Sequence, residues 1–142
     1  MRPSLAALAV ASALALCLAR SPAAEAQVVG GAPLVCDTTA SISISSSGNN
    51  EIVALTSGQT IRVCHYVFVA AGTVSVKWTR GTGTACGTGT ADLTGAMDLV
   101  ANAGVSTGSG VGTIIESTSG NALCLNLSAA VGVRGHVRYS KY

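Results

Sequence analysis

The stretch IRVCHYVFVA, residues 61–70, decides the fold class. Apolar side chains occupy both its odd and its even positions, and most of them are β-branched or aromatic. A short apolar run of this composition is typical of a strand that is covered on both faces of a sheet. We therefore predict that residues 61–70 form a central strand of an all-β domain.

The segments around this run alternate between apolar and polar residues. Alternation is the two-residue period of a strand with one buried and one exposed face. After residue 26, no window keeps the 3.6-residue period of an amphipathic helix. The clearest alternating segments are residues 40–45, 74–79, 121–128 and 131–140.

Turn-forming residues separate these segments, so that seven or eight short strands follow one another at regular spacing. This pattern predicts an antiparallel β-sandwich of the jelly-roll type, and a small closed β-barrel is the alternative. The glycine-rich runs at residues 81–90 and 104–112 are expected to be loops or a bulged edge. We expect a single domain over residues 36–142, after a flexible lead-in at residues 27–35.

The N-terminus has the pattern of an export signal. A short basic leader is followed by an apolar run at residues 5–19, and Ala24-Glu25-Ala26 offers small residues at both positions that a signal peptidase reads. About 15 apolar residues reach only about 22 Å, less than the roughly 30 Å core of a membrane. We therefore predict a signal peptide at residues 1–26 and a secreted or periplasmic protein. A lipid-modified Cys17 is the weaker alternative, because Leu16 is bulkier than the small residue expected before such a cysteine.

Four cysteines follow the predicted signal, and an even number in a small exported domain indicates two disulfides. No two of them lie two to four residues apart, which argues against a zinc site. Three pairings are open. The working hypothesis is pairing in chain order, Cys36 with Cys64 and Cys86 with Cys124.

Charge and composition argue against several classes of partner and cofactor. Removing the predicted signal leaves six basic and five acidic residues, a net charge near +1. A nucleic-acid-binding domain carries far more positive charge, and its aromatic residues lie among the basic ones. The glycine-rich runs lack the lysine and the following helix of a phosphate-binding loop. We expect no nucleic acid, no cofactor and no membrane span after the signal.

A single motif suggests catalysis. Residues 104–108 match G-x-S-x-G around Ser106, and Glu116 and His136 follow in the order of an α/β-hydrolase. That site needs a helix directly after the serine, and the following residues Ser-Gly-Val-Gly cannot hold one. We therefore expect no enzyme, no catalytic residue and no metal site.

Two sets of residues are candidates for surface contacts. Arg134, His136 and Arg138 form an outward-facing positive stripe on the last strand, which suits either the protection of an edge strand, the interpretation we favour, or contact with an acidic group. Trp78 and Tyr66 are candidates for a flat platform under a sugar ring. Trp78 falls on the apolar face of its strand, which instead predicts burial.

Six short motifs distributed over the predicted mature chain carry a resemblance. They are Cys36-Asp37, Cys64 with Tyr66, GTGTAC at residues 81–86, LTGA at 93–96, GNALC at 120–124 and residues 137–142. In this order they resemble an uncharacterised family of small, exported or virion-associated β-rich proteins of proteobacteria and their phages. The resemblance implies a four-cysteine β fold without an assigned activity.

These observations together predict an exported structural or surface-interaction protein without enzymatic activity. Its expected partner is a protein or glycan surface, or a second copy of the same chain. The alternatives are a carbohydrate-binding module and a small virion decoration protein.

Overall fold

The computed structural model describes residues 34–142, which form an all-β domain with one 3₁₀ turn at Thr84–Cys86. The predicted fold class is confirmed. The expected signal peptide and residues 27–33 of the lead-in lie outside the described residues. Two more strands are present than the eight expected, because the glycine-rich segments at residues 88–92 and 104–107 also pair. The strands are β1 Thr38–Ile44, β2 Gly48–Val53, β3 Ile61–Ala70, β4 Val74–Thr82, β5 Thr88–Asp92, β6 Met97–Leu99, β7 Gly104–Thr107, β8 Ile115–Glu116, β9 Ala122–Leu127 and β10 Val133–Lys141.

The strands build two antiparallel sheets. The first has the order β1-β10-β3-β7 with β8 also beside β3, and the second has β2-β9-β4-β5 with β6 also beside β4. Within residues 34–142 no strand pairing joins one sheet to the other, so the closed-barrel alternative is wrong. If the short β6 and β8 are set aside, the remaining eight strands have the order of a jelly roll. No helix in this part of the chain is long and apolar enough to cross a membrane.

The core combines aromatic and aliphatic side chains from both sheets. The rings of Tyr66 and Phe68, from β3, meet the indole of Trp78, from β4, at centroid distances of 5.3 and 6.5 Å. Leu123, Leu125 and Leu127 of β9 are also buried in this cluster. Burial of these side chains supplies the main free energy that holds the sheets together, about 1.5 to 3 kcal/mol for each large side chain.

Strand β3 is central, but only one of its faces is covered along its second half. Tyr66 and Phe68 point into the core, whereas Val69 is 47% exposed on the other face. The predicted coverage of both faces is therefore wrong here. The buried positions of β3 are odd-numbered up to Val63 and even-numbered from Cys64 onward. The register with β10 shifts at the same place. Such a bulge brings odd and even positions to the same side, which explains the misleading apolar pattern.

Strand β10 keeps the predicted alternation with one exception. Val133 and Val137 are fully buried in the core. Ser140 has the outward parity of Arg134, His136 and Arg138, but it is only 5% exposed because the segment before β1 covers it. Its hydroxyl donates a hydrogen bond to the carbonyl oxygen of Val35 at 3.1 Å, and Val35 also pairs with Val111. The end of the expected lead-in is thus held on the domain.

Each disulfide ties a segment outside the strands to a strand of one sheet. Cys36–Cys64 ties the segment before β1 to β3, and Cys86–Cys124 ties the 3₁₀ turn to β9. The cysteines therefore pair in chain order. The second bridge packs with Ala122 in a small cluster separate from the main core. Neither bridge runs from the first sheet to the second.

Candidate functional site

The strand that carries the positive stripe lies inside the first sheet, with β1 on one side and β3 on the other. Edge protection was the interpretation of Arg134, His136 and Arg138 that the sequence favoured. A strand with neighbours on both sides has no free edge to protect, so that interpretation is wrong. The three side chains need another explanation.

The outer face of the first sheet, the side away from the core, carries four basic side chains in its middle. Arg134, His136 and Arg138 occupy alternate positions of β10, and His65 of β3 is opposite Arg138 in the strand register. The imidazole centroids of His65 and His136 are 5.5 Å apart, with the rings inclined at 33°. We call these four residues the basic face.

The arginines of the basic face are not neutralised by acids of the described chain. The side chain of Arg134 forms no ion pair or hydrogen bond with another residue of the range 34–142, and the side chain of Arg138 donates one hydrogen bond, to the carbonyl oxygen of Cys36 at 3.1 Å. Both side chains are exposed. The two ion pairs that the described residues form lie outside the basic face. Both guanidinium groups therefore have donors free for an external partner.

The first sheet places carboxylates only at the margin of the basic face. Strands β1, β10, β3 and β7 contain none, and Glu116 of the short strand β8 forms an ion pair with Arg62. Asp37 lies immediately before β1, where its carboxylate accepts hydrogen bonds from Thr38 and Ser140. These two hydrogen bonds, that from Thr38 first, lower the pKa of Asp37. A negative charge is thus fixed at one margin, while the middle of the face stays positive.

Small hydroxyl side chains surround the basic face. Ser41 and Ser43 of β1 lie opposite His136 and Arg134 in the register, and Ser106 of β7 lies on the far side of β3. All three serines are exposed. Their hydroxyls both donate and accept hydrogen bonds, and their small size leaves the surface shallow.

The segment Leu34–Asp37 crosses one end of the basic face. The Cys36–Cys64 disulfide fixes this segment to β3, and the Cys36 carbonyl oxygen accepts the hydrogen bond from Arg138. One covalent bond therefore holds the only described acceptor of an arginine in this face.

No family model, no curated protein and no solved structure matches this chain. The resemblance to small β-rich proteins of proteobacteria and phages therefore stays a prediction.

The proposed sugar platform is not available in this fold. Trp78 has no exposed surface and Tyr66 is 6% exposed, because both rings fill the space between the sheets. Burial also raises the pKa of the Tyr66 phenol, whose hydroxyl lies 3.9 Å from the sulfur of Met97. A flat aromatic surface for stacking on a neutral sugar cannot be formed by this pair.

The burial of Trp78 gives a direct spectroscopic prediction. As the protein's one tryptophan, it should emit at short wavelength and resist quenching by acrylamide or iodide, because the indole is in an apolar interior. Adding neutral oligosaccharides should leave the emission unchanged. A red-shifted, easily quenched spectrum from the folded protein would contradict the placement of Trp78 in the core.

The residues of the suspected hydrolase motif are not arranged for catalysis. Ser106 lies on the edge strand β7, paired with Val67 of β3, and glycines rather than a helix follow it. Glu116 instead accepts a hydrogen bond from the Arg62 guanidinium at 3.0 Å. Residues 34–142 enclose no pocket and bring no three metal-ligating side chains together.

Sequence reasoning found three of the four residues in the basic face and missed the fourth. His65 lies in the apolar run of residues 61–70, where both parities are apolar and no alternation marks an outer face. The bulge at Cys64 turns His65 to the outer face, beside His136, and its Nδ1 is buried without a hydrogen-bond partner in the described chain. The position of His65 beside His136 can be seen only from the register of β3 with β10.

Proposed function

We propose that the protein is an exported, non-enzymatic binding protein that attaches through the basic face to an acidic polysaccharide on a cell surface. The observation that carries the proposal is the clustering of two unneutralised arginines and two histidines in the middle of one shallow sheet surface, whose other charged side chains, Arg62 and Glu116, pair with each other. Two disulfides in a small domain are typical of extracellular and periplasmic proteins, where such polymers occur.

The spacing of the arginines favours a polymer over a small anion. Arg134 and Arg138 are four residues apart on one strand, so their Cα atoms are separated by about 13 Å. A single small anion binds both guanidinium groups only if both side chains bend toward each other along the strand. A linear chain with carboxylate or sulfate groups along its length contacts both, and His136 lies between them on the same face.

The chemistry of recognition follows from the side chains present. Guanidinium groups bind carboxylates and sulfates through two parallel hydrogen bonds, and this geometry needs no enclosed pocket. The four strands present no Trp, Tyr or Phe ring on this face, so neutral sugars gain little stacking there. Acidic groups are therefore the part of a polysaccharide that this surface selects.

The affinity of one face should be low and sensitive to salt. Exposed ion pairs in water contribute only about 0.2 to 1 kcal/mol each, and salt screens them. Without the predicted signal the chain has a net charge near +1, which gives little long-range attraction for a polyanion of any kind. Local clustering, rather than overall charge, supports this binding.

The jelly-roll order agrees with more than one function. Lectin domains and viral capsid domains both use it. The fold therefore suits the polysaccharide proposal and also the virion decoration that the resemblance implies, and fold alone does not choose between them.

The test is chromatography on immobilised heparin and alginate, which carry sulfate and carboxylate groups. Wild-type protein should be retained at low salt and released by salt. The double variant Arg134→Gln/Arg138→Gln should bind about tenfold more weakly, because two ion contacts together contribute roughly 1.4 kcal/mol. Circular dichroism and thermal unfolding should match the wild type, since both side chains are exposed.

The matched control removes the same charge from the second sheet. Lys77 and Arg80 lie on β4, where Lys77 pairs with Asp92 and Arg80 bonds to Thr118. The double variant Lys77→Gln/Arg80→Gln should elute like the wild type. Equal loss in both variants would mean that net charge alone governs retention, and absence of wild-type retention on both resins would remove the proposal.

A further inference from the structure

The edges of the two sheets differ in how they are defended against pairing with another chain. Natural sheets protect their edges with charges, bulges or very short strands. The edge strand β2 carries Glu51 and a register shift beside it. At the opposite edge of the same sheet, β5 has a register shift and ends at Asp92, and β6 has only three residues. In the first sheet, β7 and β8 have four and two residues.

Strand β1, at the remaining edge, has none of these defences. Its sequence TTASISI contains no charge, proline or glycine, and all seven residues pair in unbroken register with β10. On the other side of β1, no backbone group of the described chain hydrogen-bonds to Thr38–Ile44. Half of its peptide groups are therefore available to another strand.

We propose that β1 pairs antiparallel with β1 of a second copy, so that the two first sheets become one continuous sheet. The sequence of the strand fits itself about a twofold axis at Ser41. In that register Ala40 of one copy is opposite Ile42 of the other, and Thr39 is opposite Ser43. Ala40 and Ile42 meet on the inner side and the hydroxyl residues Thr39, Ser41 and Ser43 meet on the outer side, while Thr38 is opposite Ile44 at each end of the pairing.

Charge does not oppose this pairing. The nearest arginines are on β10, and the two β10 strands of the dimer are three strand spacings apart, about 14 Å. This distance exceeds the screening length of about 8 Å at physiological ionic strength, so repulsion between the copies is weak.

The dimer carries its two basic faces on one surface. A polymer that contacts both faces at once would bind more tightly than one that contacts a single face. This gain in avidity rests on the proposed function, whereas the pairing of the β1 strands does not.

Sedimentation of the disulfide-intact protein at concentrations from about 1 µM to 1 mM tests the pairing, because a single strand pair is a small interface with modest affinity. The mass should rise from one chain toward two. In Ser41→Lys, two lysines would lie opposite each other at the axis, and association should weaken by about tenfold or more. Ser106→Lys puts the same change on the opposite edge strand of the same face and should associate like the wild type.

Hydrogen exchange on the wild-type protein gives a second measurement that needs no variant. Alternate amides of Thr38–Ile44 should exchange more slowly at high than at low concentration, while the amides of β2 should not change. A single-chain mass over the whole range, or a dimer that Ser41→Lys leaves intact, overturns the proposal. Protection of β1 at all concentrations in a monomer also overturns it, because a strand of the same chain would then occupy the edge. Failure to bind heparin or alginate leaves the pairing result unaffected.

Discussion

Replacing Gly135 with alanine should lower the free energy of unfolding by about 3 kcal/mol or prevent folding. A Cβ atom at this position would overlap the carbonyl oxygen of Val67 and would lie 2.6 Å from the Cα atom of Phe68. Both atoms belong to the backbone of β3, the neighbouring strand in the middle of the first sheet. Neither strand can move away without breaking the hydrogen-bond ladder between them, so the added methyl group cannot be accommodated cheaply.

Urea unfolding followed by circular dichroism measures this effect, and Gly132→Ala is the matched control. A Cβ atom at Gly132 would lie 3.6 Å from the Cβ atom of Ala71, which is an ordinary contact. The control should unfold within about 0.5 kcal/mol of the wild type. Wild-type stability in Gly135→Ala would show that β10 and β3 do not approach each other as described.

Removing either disulfide should destabilise the domain by about 4 kcal/mol. The bridges close loops with sequence separations of 28 and 38 residues, and the chain-entropy model gives similar values for both. This is a large share of the roughly 5 to 15 kcal/mol that small domains have in total. Paired Cys→Ala variants of each bridge, unfolded in urea, measure the loss.

The two bridges should differ in their effect on binding, although their effects on stability are alike. Loss of Cys36–Cys64 frees the segment that holds the acceptor of Arg138, so retention on heparin or alginate should fall. Loss of Cys86–Cys124 affects the second sheet and should leave retention unchanged under conditions where both variants are folded. Equal binding by both folded variants would contradict the role of the Cys36 carbonyl group in positioning Arg138.

Much of the fold could be predicted because alternation is a local property of the chain. The alternating apolar residues of β4 and β9 all face the core. Trp78 is buried, as its position on the apolar face of its strand indicated. The apolar run of β3 led to a wrong prediction of burial on both faces. The bulge at Cys64 brings odd-numbered residues before it and even-numbered residues after it to the core side, and Val69 is exposed. Bulges depend on the partner strand, and no local pattern marked this one.

The site was less accessible to sequence reasoning than the fold. The alternation placed Arg134, His136 and Arg138 on the outer face, but it could not show which strands lie beside them. Neighbours in a sheet are set by long-range pairing, which puts β1 and β3 around β10 although they are far away in sequence. The approach of His65 to His136 and the hydrogen bond from Arg138 to Cys36 follow from that pairing alone.

Since neither disulfide connects a strand of one sheet to a strand of the other, the two sheets of the described chain have no covalent link other than the loops. The cohesion of the seam between them depends on the aromatic and leucine side chains that meet there. Such contacts weaken on cooling and under pressure, whereas the disulfides do not. Near-freezing temperatures or high pressure should therefore admit water first along this seam, while each sheet keeps its own strands together.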